Sequence, residues 1–125
     1  MKLRIKGSSI RFRLTRPEVR TLAGAGVLEE SVHFPDGTTW RYRLARSADG
    51  ASSARVSDAG LHVAIPVGDV ESWAESERVG IDLLLPLPSG RSLSILVEKD
   101  FECLHPRASE SERGAYPNPA KGARP

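Results

Sequence analysis

Cysteine is almost missing from this chain of 125 residues. Cys103 stands alone, so no disulfide can close within the sequence, and the expected compartment is the reducing cytoplasm. Long apolar runs are missing too. No stretch reaches the roughly 18 apolar residues that a spanning helix needs, so no membrane segment is expected. The opening residues Met1-Lys2-Leu3-Arg4-Ile5-Lys6-Gly7 alternate charged and apolar side chains and lack the apolar core of a secretory signal. Apolar residues make up 39% of the chain. That lies somewhat below the usual globular share of about 45–50%, a count that includes glycine, and it fits one folded domain with an unstructured segment. Catalytic signatures are lacking as well: no glycine-rich phosphate loop, no nucleophile elbow and no paired histidines. Neither an enzyme nor a bound cofactor is expected.

What is present is charge, unevenly placed. The net charge is only +2, yet residues 1–46 carry ten Lys/Arg against four acids, a balance of +6. The remainder carries eight against twelve, a balance of −4. A basic half calls for an anionic partner, or for the acidic half of the same molecule.

The hydropathy pattern has a repeating order. Residues 2–6 and 10–14 alternate with period two around the Gly7-Ser8-Ser9 turn, placing Ile10, Phe12 and Leu14 inward and Arg11 and Arg13 outward. Thr15-Arg16-Pro17-Glu18 then reads as an N-cap, an early proline and a capping-box Glu, opening a helix with Val19 and Leu22 on its apolar face. Gly24 and Gly26 end it. Residues 27–34 read as a strand with Leu28, Val32 and Phe34 inward. Glu30 interrupts that face, so a bulge is expected near Glu29-Glu30. Pro35-Asp36-Gly37 turns the chain. Residues 38–46 return with Trp40, Tyr42 and Leu44 inward and Arg41 and Arg43 outward.

After a small polar connector (residues 47–53) the order recurs: a strand at Arg55-Val56-Ser57, a turn at Asp58-Ala59-Gly60, a strand through Leu61, Val63 and Ile65. Pro66 opens a helix holding Val70 and Trp73. A strand follows through Val79, Ile81, Leu83 and Leu85, and a last one through Leu93, Ile95, Val97 and Phe101. Ile10, Phe12, Leu14, Val19 and Leu22 lie 51 residues before Leu61, Val63, Ile65, Val70 and Trp73. Val27 lies 52 before Val79, and Trp40, Tyr42 and Leu44 lie 53 before Leu93, Ile95 and Val97. Core, cap and turn positions agree together, which points to an internal duplication. The expected fold is α+β and mostly antiparallel, with two tandem ββαββ units forming one pseudo-twofold barrel-like domain. Unit one is 1–46, the connector 47–53 and unit two 54–103. Residues 104–125, with four prolines and few large apolar residues, read as a mostly disordered tail.

The second unit's run Arg55-Val56-Ser57-Asp58-Ala59-Gly60-Leu61-His62-Val63-Ala64-Ile65-Pro66, followed by Val70 and Val79-Gly80-Ile81, resembles the AbrB-like swapped-hairpin family. In the first unit Pro17-Glu18-Val19-Arg20-Thr21-Leu22 resembles that family's helix. The resemblance implies a small bacterial DNA-binding or antitoxin domain in which two units interlace. Leu61 follows Gly60 where the family usually has a basic residue, and the second unit's helix is acidic. The whole chain, notably Val97-Glu98-Lys99-Asp100-Phe101-Glu102-Cys103-Leu104 and Tyr116-Pro117-Asn118-Pro119, is also similar to an uncharacterised family of short bacterial proteins, which implies no activity.

Two binding surfaces follow. Lys6, Arg11, Arg13, Arg41 and Arg43, with Lys2 and Arg4, fall on outward strand faces of the first unit, and Arg16 and Arg20 on or beside its helix. Such cations pair with nucleic-acid phosphate. A solvated face that blunts edge pairing would use the same residues. Tyr116, Pro117, Asn118 and Pro119 are the tail's candidate partner-binding turn. Duplex DNA or another protein is the expected partner, and the chain is expected to be a monomer or homodimer. Glu98, Asp100 and Glu102 alternate on the outward side of the last strand, with His105 just beyond and Cys103 forming a Cys-x-His pair with it. A solvated acidic end explains them more simply than a metal site, which needs about four ligands for zinc. Ser31 and His33 share a strand face and read as solvated polar residues rather than a nucleophile–base pair.

Overall fold

In the computed structural model, described over residues 1–101, eight strands and two helices form an α+β fold. The elements are β1 (Lys2–Lys6), β2 (Ser9–Leu14), α1 (Arg16–Ala25), β3 (Val27–His33), β4 (Thr39–Ser47), β5 (Ser53–Ser57), β6 (Gly60–Pro66), α2 (Val67–Glu75), β7 (Gly80–Pro86) and β8 (Ser92–Lys99). They build two mixed four-stranded sheets: sheet I in the order β1-β2-β8-β7, and sheet II in the order β3-β4-β6-β5. Each sheet joins a hairpin from the first half of the chain to one from the second. The hairpins are antiparallel, and the seams between them, β2 with β8 and β4 with β6, are parallel. The sheets stay open, so the expected barrel closure is not what joins them. They share a core instead.

That core is one cluster fed by both sheets and both helices. Phe12, Leu14, Leu22, Leu44, Ile65, Val70, Trp73, Ile81, Ile95 and Val97 have no exposed surface. Fully burying a side chain of this size stabilises by about 1.5–3 kcal/mol. The Trp73 indole N–H donates to the Val79 carbonyl at 2.9 Å, so the ring is buried without leaving a donor unpaired. Trp40 and Tyr42 are half-buried and pack against the cluster.

Both helices have a carbonyl at the C-terminal end that accepts from a strand cation, although their C-caps differ, left-handed at Gly26 and extended at Ser76. Gly26 adopts a left-handed φ of 85° as the C-cap of α1, and Arg46, at the end of β4, donates to the Ala23 carbonyl. At α2 the Lys99 ammonium donates to the Ser76 carbonyl at 2.8 Å and lies 6.0 Å from the Trp73 ring centre. A cation at a helix C-terminus satisfies orphan carbonyls and meets the favourable end of the dipole. At the N-terminus of α1, the Thr15 amide donates to Glu18 Oε1 at 2.9 Å, the Glu half of a capping box.

Two expectations are corrected. The pairing of β3 with β4 is continuous from Val27 to His33, with no bulge at Glu29-Glu30. Glu30 stays in register opposite Tyr42 because its carboxylate finds polar partners at the core's edge. Phe101 lies beyond the last strand and is 63% exposed rather than lining it.

Candidate nucleic-acid interface

The outer face of sheet I begins with simple alternation: inward residues of β1 and β2 leave Lys2, Arg4, Lys6, Arg11 and Arg13 outside. The ladder sets Lys2 directly opposite Arg13, Arg4 opposite Arg11, and Lys6 opposite Ser9. Like charges in directly opposed positions disfavour a hairpin, where opposite charges would contribute roughly 0.2–1 kcal/mol. Part of this charge is neutralised across the seam. Glu98 of β8 accepts from Arg13 Nε at 2.9 Å and lies 3.4 Å from Arg11 Nε, and Asp100 lies 3.3 Å from the Lys2 ammonium. Arg4 and Lys6 have no carboxylate within 4.0 Å among the described residues. With Ser9 and Arg11 they line a concavity of about 220 Å³.

The remaining basic candidates lie elsewhere. Arg41 and Arg43 project from β4 on the outer face of sheet II, where Glu29 pairs with Arg41 at 3.5 Å. Arg16 and Arg20 belong to α1. They line a cleft of about 660 Å³ with Leu14, Ala74, Lys99 and Phe101. The seven expected phosphate contacts thus divide among two sheet faces and one helix. Lys6, Arg11 and Arg13 share the outer face of sheet I, Arg41 and Arg43 that of sheet II, and Arg16 and Arg20 the cleft beside α1.

A polar knot that sequence reasoning missed lies at the edge of the core. Tyr42 Oη donates to Glu30 Oε2 at 2.7 Å, and the Met1 amine donates to Glu30 Oε1 at 3.0 Å and to Glu18. Burial, and then donation to Glu30, push the Tyr42 phenol up to about 12. Burial alone would lower the Met1 amine, but hydrogen bonds to Glu18 and Glu30 raise it above its ordinary value. Burial alone would raise Glu18, but donation from Met1 and from Thr15 holds it below the usual carboxylate range. The available signal was that Glu30 and Tyr42 fall at inward positions of neighbouring strands. The knot is structural, since every strong polar partner is already taken.

The acidic candidates are committed to ion pairs: Glu98 to two arginines and Asp100 to Lys2. Among the described residues no three His, Cys, Asp or Glu side chains converge as a metal site requires. His33 Nδ1 lies 3.1 Å from Thr39 Oγ1, which gives it a polar partner outside the Ser31 pairing. Glu102, Cys103, His105 and the candidate partner-binding residues Tyr116, Pro117, Asn118 and Pro119 lie outside the described residues. No described helix is long and apolar enough to cross a membrane.

Residues 1–120 match a family of unknown function, DUF7009, and the chain belongs to that family. No curated protein and no solved structure gives a significant match.

Proposed function

We propose that this DUF7009 member is a non-enzymatic nucleic-acid-binding domain of AbrB-like swapped-hairpin type, which holds duplex phosphate on the outer face of the β1–β2 hairpin. In this reading β1-β2-α1-β3-β4 and β5-β6-α2-β7-β8 are tandem units about a pseudo-twofold axis. The ladders support it. Adding 51 to the β1–β2 pairs gives the β5–β6 pairs, as Ile5 with Ile10 becomes Val56 with Leu61. Adding 53 to the β3–β4 pairs gives the β7–β8 pairs, as Leu28 with Leu44 becomes Ile81 with Val97. The same spacings carry the parallel seam Phe12–Val97 onto Val63–Leu44. By this spacing Val27 corresponds to Gly80 rather than Val79.

The observation that carries the functional reading is the in-register cation face: five Lys/Arg on two adjacent strands, with Arg4 and Lys6 unpaired among the described residues. Phosphate contacts relieve like-charge repulsion and release counterions, so binding weakens steeply with salt. An electrophoretic titration with duplex DNA at about 50 mM and about 200 mM salt tests it. A complex at the lower salt that fades at the higher is expected, and no complex at either overturns the proposal.

A second reading has its own support. The family match extends to residue 120 and so includes Tyr116, Pro117, Asn118 and Pro119. An adaptor that engages a protein through these residues would lose its partner in a pull-down when residues 105–125 are removed. Loss of duplex binding with the partner retained would instead place the nucleic-acid contact there.

A further inference from the structure

The outer face of sheet II carries a row of residues in register across all four strands: Glu29, Arg43, His62 and Arg55. The one carboxylate of this row turns away from it, because Glu29 pairs with Arg41 in the neighbouring row at 3.5 Å. Arg43 and Arg55 are left without a carboxylate within 4.0 Å among the described residues, on either side of His62. Next to them the sheet is floored by small side chains: Ala45 and Ala64 face each other across the seam, and Ser53 faces Ala64. The result is a concavity of about 360 Å³ whose polar walls are Arg43, Arg55 and His62.

The contrast with sheet I explains why the row is open. On sheet I the seam position beside the arginines is Glu98, opposite Arg13, and it neutralises both Arg13 and Arg11. On sheet II the corresponding seam pair is Ala45 with Ala64, which supplies neither charge nor bulk. Two guanidiniums about a shallow trough, with an imidazole between them, match a tetrahedral oxyanion. Arginine presents its N–H groups as a planar fork that suits phosphate.

We infer that the trough walled by Arg43, His62 and Arg55 is a second phosphate-binding site, independent of the β1–β2 hairpin. The phosphoryl group it takes belongs either to a nucleic-acid backbone or to a small phosphorylated molecule. The trough lies on sheet II and uses none of the β1–β2 cations of sheet I.

A backbone-amide NMR titration of the intact protein tests this with two probes, inorganic phosphate and a short DNA duplex. The expected result is saturable shifts from phosphate centred on Arg43, Arg55, His62 and Ala64, weakened at least about tenfold in Arg43→Ala/Arg55→Ala. The Arg43→Lys/Arg55→Lys variant keeps the charge but not the fork and falls between. Shifts of the same residues by the duplex assign the backbone as the source, whereas phosphate alone acting there assigns a small ligand. The variant Arg4→Glu/Lys6→Glu, which removes the sheet I cations, leaves phosphate binding at the trough unchanged, so the two sites fail separately. Shifts scattered over all arginines, no shift at the trough, or undiminished binding by a folded Arg43→Ala/Arg55→Ala protein would overturn the inference.

Discussion

Substituting one glycine should open the seam of sheet II. Gly60 begins β6 with a φ of +139°, and a Cβ built there would lie 1.8 Å from the Arg41 carbonyl oxygen and 2.7 Å from its carbonyl carbon and amide nitrogen. A tolerable contact is about 3.0 Å, so the Arg41 backbone would have to retreat by roughly 1 Å. That backbone is pinned: the Arg41 amide donates to the Ala59 carbonyl at 3.0 Å, at the entry of the β4–β6 seam. Forcing a side chain into this conformation costs about 1–3 kcal/mol. Losing the seam hydrogen bond adds about 0.5–1.5 kcal/mol. Gly60→Ala should therefore destabilise by about 2–4 kcal/mol, and at about 4–8 °C per kcal/mol for a domain of this size the melting temperature should fall by roughly 10 °C or more. Gly24→Ala is the matched control. It lies in α1 with no atom near its would-be Cβ, and should gain a few tenths to about 1 kcal/mol. Thermal unfolding followed by circular dichroism reads both. If Gly60→Ala melts within about 2 °C of the parent, or Gly24→Ala falls as far, the reasoning about the seam is refuted.

Arg46→Ala and Lys99→Ala should each cost about 1 kcal/mol by urea unfolding, since each frees a helix-terminal carbonyl; additive losses would show that the two caps act separately. A double-mutant cycle of Glu30→Leu and Tyr42→Phe should give a coupling of about 0.5–1.5 kcal/mol, and a coupling near zero would remove the knot from the account. The pH dependence has a definite sign. The folded Met1 amine is raised above 8.0, so its contribution is full below about pH 8 and is lost as pH rises through the folded value. The folded Glu18 carboxyl is lowered below 4.5, so its contribution is present above about pH 4.5 and is lost as pH falls through the folded value. Urea midpoints measured across pH should therefore form a plateau between these limits, and Glu18→Gln should flatten both shoulders.

Much of the architecture was legible because alternation fixes which side chains face inward. Ile10, Phe12 and Leu14, then Leu61, Val63 and Ile65, were readable as core, as were both helices from Thr15 and Pro66 onward. Strand partners were not legible. Period two assigns faces but says nothing about the pairing of β2 with β8 across more than eighty residues of sequence. This is also why the seven basic candidates could be placed outside but not on a common surface: Arg11 and Arg41 carry the same local pattern and end on different sheets. Glu30 was misread because a lone carboxylate on an apolar face suggests a bulge, whereas its remedy, the Tyr42 hydroxyl, lies on another strand. Phe101 was misread because apolar character alone extended the last strand past its pairing.

The most direct test of the central claim is the salt dependence of duplex binding, measured by fluorescence anisotropy for the parent and two charge-reversed variants. If three to five phosphates are neutralised by the β1–β2 face, the log–log slope should lie near about −3 to −4.5. Arg4→Glu/Lys6→Glu should weaken binding more than about tenfold and reduce the slope by about 1 for each cation removed, whereas Arg16→Glu/Arg20→Glu, on the helix cleft, should do so less. Equal affinity and slope for the hairpin variant and the parent, or a parent that does not bind at low salt, would contradict the claim.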